Sequence, residues 1–168
     1  KTVSVRMYSK DWLDLPDMLE PEIWEVEMTK EQEKLYKEMA KWSTIENEEI
    51  IAENPASRLN YLRQIASGFY YKHIENDGET GKEAVSVGTE KAKLLDTYLQ
   101  ETDDPLVIFY NYDQELTDIV HVLKKLKIKH LILNGNTKPK DKGNWRIFQE
   151  DDTIRVYVAQ ISAGARGI

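Results

Sequence analysis

Residues 106–135 read LVIFYNYDQELTDIVHVLKKLKIKHLILNG, and the change of rhythm within them decides the fold. LVIFY (106–110) is an apolar run of strand length without alternation, the pattern of a strand covered on both faces. After Asn111-Tyr112 the period lengthens. Leu116, Ile119, Val120, Leu123 and Leu126 recur at helical spacing behind Asp113, a residue type that caps helices. HLILN (130–134) returns to strand. A polar loop and a shorter helix near residues 141–149, carrying Trp145 and Phe148, then lead to a third strand, TIRVYVA (153–159). Strand, helix, strand, helix, strand with short connections predicts an α/β fold on a parallel sheet with right-handed crossovers.

Upstream the patterning is mixed. Residues 1–22 are irregular, punctuated by Leu15-Pro16 and Glu20-Pro21. In IWEVEM (23–28), Trp24, Val26 and Met28 alternate with Glu25 and Glu27, which predicts a half-exposed strand. Thr29-Lys30-Glu31-Gln32 spells a capping box, and the helix it opens carries Leu35, Met39 and Trp42 on one face. Asn54-Pro55 interrupts the helical pattern. A second helix is expected from about Ala56, with Leu59, Leu62 and Ala66 inward and Gly68 as its stop. Residues 69–88 admit two readings, a small hairpin turning at Asn76-Asp77-Gly78 or a disordered insertion. Helix signals return over 91–100 with Leu94, Leu95 and Leu99. The chain thus divides into a linker (1–22), a strand plus helical segment with a possible hairpin (23–88), and an α/β lobe (89–168).

Composition narrows the classes. A chain of 168 residues with 40% hydrophobic and 32% charged residues has the makings of a real core. It contains no cysteine, so disulfides and thiolate metal sites are excluded. Neither a signal segment nor an apolar run of transmembrane length occurs, which reads as a cytoplasmic protein with no membrane partner. The formal net charge of −7 argues against a domain that coats nucleic acid. The charge is uneven, acidic over 11–53 and basic over 124–146, and a lysine run alone reads equally as a solvated face.

Ligands of open parallel sheets bind beyond the carboxyl ends of the strands. Three such ends are predicted: Tyr110-Asn111-Tyr112, Asn134-Gly135-Asn136, and Gln160 to Gly167. They offer amide side chains, small residues and backbone N–H groups, which suit phosphate oxygens without any titrating group. Each alone reads more readily as a plain turn; their convergence on one sheet edge brings the binding reading level with that one. Other chemistry finds no footing. His73, His121 and His130 lack metal spacing, Ser162 lies in no nucleophile elbow, and no G-x-x-x-x-G-K-[ST] occurs. No catalytic residue and no metal ligand is assigned.

The ordered set of segments resembles the second RecA-like lobe of superfamily-two DNA helicases, most closely the Swi/Snf-like translocases of bacteria and phages. SVRMYSKDWLDLPDMLEPEIWEVEMTKEQEKLYKEM (4–39) is similar to that family's interlobe passage, with Arg6, Leu15-Pro16, Gln32 and Tyr36 at its marked positions. RLNYLRQIASGF (58–69) looks like its L-R-Q helix, and TEKAKLLDTYL (89–99) like the helix before its fourth motif. PLVIFYNYDQELTDI (105–119) resembles the fourth motif, and LILNG (131–135) a strand ending in a conserved glycine. VYVAQISAGARGI (156–168) resembles the fifth motif, with Ala165 where many members carry a second glycine.

The resemblance implies a three-layer RecA-like lobe behind an interlobe segment, belonging to an ATP-dependent DNA helicase or translocase. It places Tyr110, Asn111, Gly135, Lys138, Lys140, Gln160 and Ile161 toward the DNA backbone, and Gly164 and Gly167 toward the ATP side. The partners implied are DNA, bound weakly by this chain alone, and the first RecA-like lobe of the same polypeptide. ATP and Mg2+ belong to the longer parent, with none expected on this chain by itself. The arginine-bearing sixth motif is expected beyond Ile168. Two other classes stay open: a non-enzymatic α/β interaction module, and a small-nucleotide binder using the glycine turn.

Overall fold

The computed structural model of the chain describes residues 20–45, 50–76, 79–137 and 144–164. Helix α1 (Lys30–Trp42) starts where the capping box predicts. Gln32 N–H donates to Thr29 Oγ1 at 3.1 Å, and Thr29 N–H donates to Gln32 Oε1 at 3.0 Å. Leu35 and Met39 face inward, but Trp42 does not: it is 64% exposed beside the left-handed C-cap Ser43 (φ 59°) that ends the helix. The strand predicted over IWEVEM is not formed among the described residues. Its alternation buries no face, Trp24 and Met28 staying exposed, although Trp24 packs edge-on against Tyr98 at 5.3 Å.

Short strands β1 (Thr44–Ile45) and β2 (Ile50–Ile51) pair antiparallel ahead of α2 (Pro55–Ala66). Asn54 caps α2 by accepting from Ser57 N–H at 2.9 Å, and Pro55 occupies the first turn, where no N–H is needed. The inward residues are Gln64 and Ile65, whereas the predicted Leu59 is 49% exposed and Leu62 and Ala66 are half-buried. Gln64 is buried because its Oε1 accepts from Tyr71 N–H at 3.0 Å, a tertiary demand that overrides the apolar stripe. Of the two readings for 69–88, the hairpin is the one formed. Strands β3 (Phe69–Asn76) and β4 (Glu79–Ser86) pair antiparallel from Phe69–Ser86 to Asn76–Glu79. Leu35, Met39, Ile45, Ile65, Tyr70 and Val87 form the core of this first unit.

The second unit runs α3 (Glu90–Glu101), β5 (Leu106–Tyr110), α4 (Asp113–Lys125), β6 (His130–Leu133), α5 (Trp145–Glu150), β7 (Val156–Gln160) and α6 (Ile161–Gly164). All three strands are parallel, in the spatial order β5-β7-β6. One face packs Tyr110, Val156 and Val158 against Leu99 of α3 and Val122 and Leu123 of α4. The other sets Leu133, Tyr157 and Ala159 under Trp145 and Phe148 of α5. The parallel α/β architecture is thus present, with helices on both faces.

Two further sequence expectations need correction. LVIFY is not covered on both faces: Val107 is 43% and Phe109 56% exposed. It forms a sheet edge, and α5 packs over β6 and β7 without reaching it. Asp113 is the first residue of α4 and not its cap. The helix start is closed from within by Glu115, whose Oε2 accepts from the N–H groups of Asn111 (2.9 Å) and Tyr112 (3.1 Å). Among the described residues no helix is long and apolar enough to cross a membrane.

Candidate functional site

Parallel pairing puts the carboxyl ends of β5, β7 and β6 on one edge, because each strand's last residues lie level with its neighbour's. Tyr110 is in register with Gln160, and Leu133 with Ala159. A direct bond then joins two of the tips: Gly135 N–H donates to Gln160 Oε1 at 3.2 Å. Tyr110, Asn111, Gly135, Gln160 and Ile161 therefore stand along one edge, with Asn111 and Gly135 exposed and Ile161 47% exposed. Gly164 closes α6, so the start of the predicted glycine turn is a short helical turn, with Ser162 and Ala163 exposed on it. Lys138, Lys140 and Gly167 lie outside the described residues.

The chemistry of this edge differs from the sequence expectation in one respect. Backbone N–H groups were expected to meet phosphate oxygens, yet those of Asn111, Tyr112, Gly135 and Asn136 already donate within the chain. Glu115 Oε2 takes the first two, Gln160 Oε1 the third, and Asn134 Oδ1 the fourth at 3.0 Å. Asn134 N–H in turn donates to Thr137 Oγ1 at 2.9 Å. The turns are preorganised by these bonds, and the edge presents side-chain amides as its donors.

Tyr110 is buried at the level of this edge, its hydroxyl lying toward the Asn134 side chain without completing a hydrogen bond. Burial is the main cause that raises its pKa above the ordinary 10.0, and Asn134 opposes the rise. Burial likewise raises the pKa of Tyr112, opposed chiefly by the Arg63 guanidinium. Both phenols keep their protons at neutral pH, and Tyr112 donates its own to Asn60. Among the described residues no group of three or more His, Asp or Glu stands close enough to hold a metal ion.

Sequence reasoning missed what lies beside the β5 tip. Tyr112 donates its hydroxyl to Asn60 Oδ1 of α2 at 2.8 Å, and Gln114 N–H donates to the Tyr71 hydroxyl at 3.2 Å. Phe69 packs edge-on against Tyr71 (5.3 Å) and Tyr112 (5.6 Å). All but the Phe69–Tyr71 contact join positions some forty to fifty residues apart, so no local pattern announces them. A cleft of about 210 Å³ opens between the two units, lined in part by Ser67, Lys91, Tyr110, Glu115 and Asp118.

Asp118 gives this cleft a pH dependence. Burial, the largest influence, raises its carboxyl above the ordinary 3.8, although Gln114 Nε2 donates to it at 2.9 Å. The folded state therefore holds this proton more tightly than the unfolded chain does. The associated stability is fully present below the unfolded value and is lost as pH rises through the raised folded value. Asp118→Asn is expected to raise the melting temperature at neutral pH, with the gain vanishing in acid. An Asn variant less stable than the parent at neutral pH would contradict this. No protein-family model matches the chain, and no curated protein matches it in sequence.

Proposed function

We infer that this chain is the second motor lobe, RecA-like, of an ATP-dependent DNA translocase or helicase, and that its sheet edge runs along the phosphate backbone. The observation that carries the reading is the Gly135–Gln160 bond, which joins two motif-bearing tips assigned to DNA contact by the resemblance. Gln160 Oε1 is engaged by Gly135, so its amide NH2 group is the donor left for a phosphate oxygen. The residues at α6 suit only a minor part in nucleotide binding. Ser162 and Ala163 are small and exposed, and no basic side chain stands among the described residues of that turn. ATP with Mg2+ would supply the phosphoryl-transfer chemistry, held chiefly by the first lobe; this chain would contribute the Ser162–Gly164 wall.

Fluorescence anisotropy with short labelled single-stranded and duplex DNA tests the reading. The 168-residue chain is expected to bind weakly at low salt and to release DNA steeply as salt rises, given a net charge of −7. Gln160→Ala should weaken binding roughly three- to tenfold without lowering the melting temperature. The chain alone is expected to turn over no ATP. Absence of DNA binding at low salt, or substantial ATP hydrolysis by this chain, would reject the reading. A second reading, the non-enzymatic interaction module, draws on the exposed apolar strip of Val107 and Phe109. Under it, Gln160→Ala changes nothing and Phe109→Ser abolishes partner capture.

A further inference from the structure

The edge does not stop at β5. Tyr112, just past that strand, is bonded to Asn60 and packed by Phe69, so α2 is fixed beside the β5 tip. On α2, Asn60 and Arg63 stand one helical turn apart, and Ser67 follows as the C-cap one turn later. Ser67 Oγ accepts from Lys91 Nζ at 3.2 Å, which brings a second cation to the same stripe. Arg63 and Lys91 are both exposed, and neither forms an ion pair among the described residues. Lys37, Lys93, Lys125 and Lys129, by contrast, are each matched to a carboxylate.

We propose that Arg63, with Lys91 beside it, is a phosphate contact that continues the row of strand tips onto the helical unit. The backbone of the DNA then crosses β6, β7 and β5 and reaches α2; this rests on the strand-tip reading above. Neighbouring strands lie about 4.8 Å apart, so the three tips span about 10 Å, roughly the rise of three nucleotides. The Arg63 guanidinium acts on Tyr112, two residues past the β5 end of that span, and is the group proposed for the next phosphate. A guanidinium suits the position because its planar fork grips two phosphate oxygens at once. Three carboxylates are near. Asp118, across the cleft from Ser67 and Lys91, accepts from Gln114 Nε2. Glu115 is engaged by the Asn111 and Tyr112 N–H groups, whereas Asp113 is exposed at the start of α4 and opposes an approaching phosphate.

The test measures DNA affinity against salt for the whole chain and for Arg63→Ala, Arg63→Gln, Arg63→Lys, Asp113→Asn and Gln160→Ala, with a thermal melt of each. Arg63→Ala and Arg63→Gln are expected to weaken binding roughly three- to tenfold and to lower the salt slope by about one. Arg63→Lys should keep the slope while losing part of the affinity, and Asp113→Asn should tighten binding roughly twofold. If Gln160→Ala weakens binding while the folded Arg63 variants leave affinity and slope unchanged, the Arg63 contact is overturned and the strand-tip reading stands. If the Arg63 variants weaken binding and Gln160→Ala does not, the cation contact holds and the strand-tip row is wrong. If the parent chain binds no DNA, both fall.

Discussion

Gly68→Ala is expected to lower the unfolding free energy by about 3 kcal/mol or more in urea denaturation. Gly68 has φ +97°, a conformation that L side chains rarely adopt, and an added Cβ would stand 2.3 Å from the carbonyl oxygen of Gly88. The neighbour is backbone and has nowhere to go, because the Gly68 carbonyl accepts from both Val87 N–H (2.8 Å) and Gly88 N–H (3.0 Å). These bonds close the base of the hairpin against the end of α2, so strain at Gly68 spreads into both. A loss below about 1 kcal/mol would show that the hairpin base can part without disturbing the rest.

The second large effect is expected at Gln32. This side chain is buried, its Nε2 donates to the Ile65 carbonyl at 2.9 Å, and its Oε1 accepts from Thr29 N–H. Gln32→Leu keeps much of the volume but strands the Thr29 amide at the α1 N-cap and removes one of the two donors to the Ile65 carbonyl, which Gly68 N–H still meets at 3.0 Å, a loss of about 1–3 kcal/mol. If the chain binds DNA as proposed, affinity per folded molecule should be unchanged, because Gln32 is not among the proposed contacts. A Leu variant as stable as the parent would mean that water or another donor replaces the amide. The resemblance marks Gln32 as a family position, and the structure supplies a packing reason for it, the tie between two helices.

What could be read from the sequence was what neighbouring residues settle among themselves. Thr29 with Gln32 announces a helix start because the groups that bond are three residues apart, and Asn54-Pro55 marks the break before the second helix, whose cap joins Asn54 to Ser57. The five-residue apolar runs and the helical spacing between them announce the parallel sheet for the same reason. Misread positions answer to distant partners. Trp42 and Leu59 fit an inward stripe but face solvent, while Gln64, polar and so passed over, is buried by its bond to Tyr71. Val107 and Phe109 look like core until the strand order makes β5 an edge. At the strand ends, residue types pointed to a hydrogen-bonding edge, but nothing in the sequence disclosed that Glu115, Asn134 and Gln160 occupy its backbone amides first. The attachment of α2 through Tyr112 and Asn60 was equally hidden.

Of the three described strands of this sheet, the one made after the other two lies between them. Among the described residues β5 and β6 do not pair with each other, and each pairs with β7. A growing chain would therefore carry two unmated apolar strands through the synthesis of everything up to Val156, with nothing to zip them together until VYVAQ slides between. Ribosome-stalled chains that stop short of that keystone should be protease-sensitive over 106–133, and protection should arrive in a single step once it emerges.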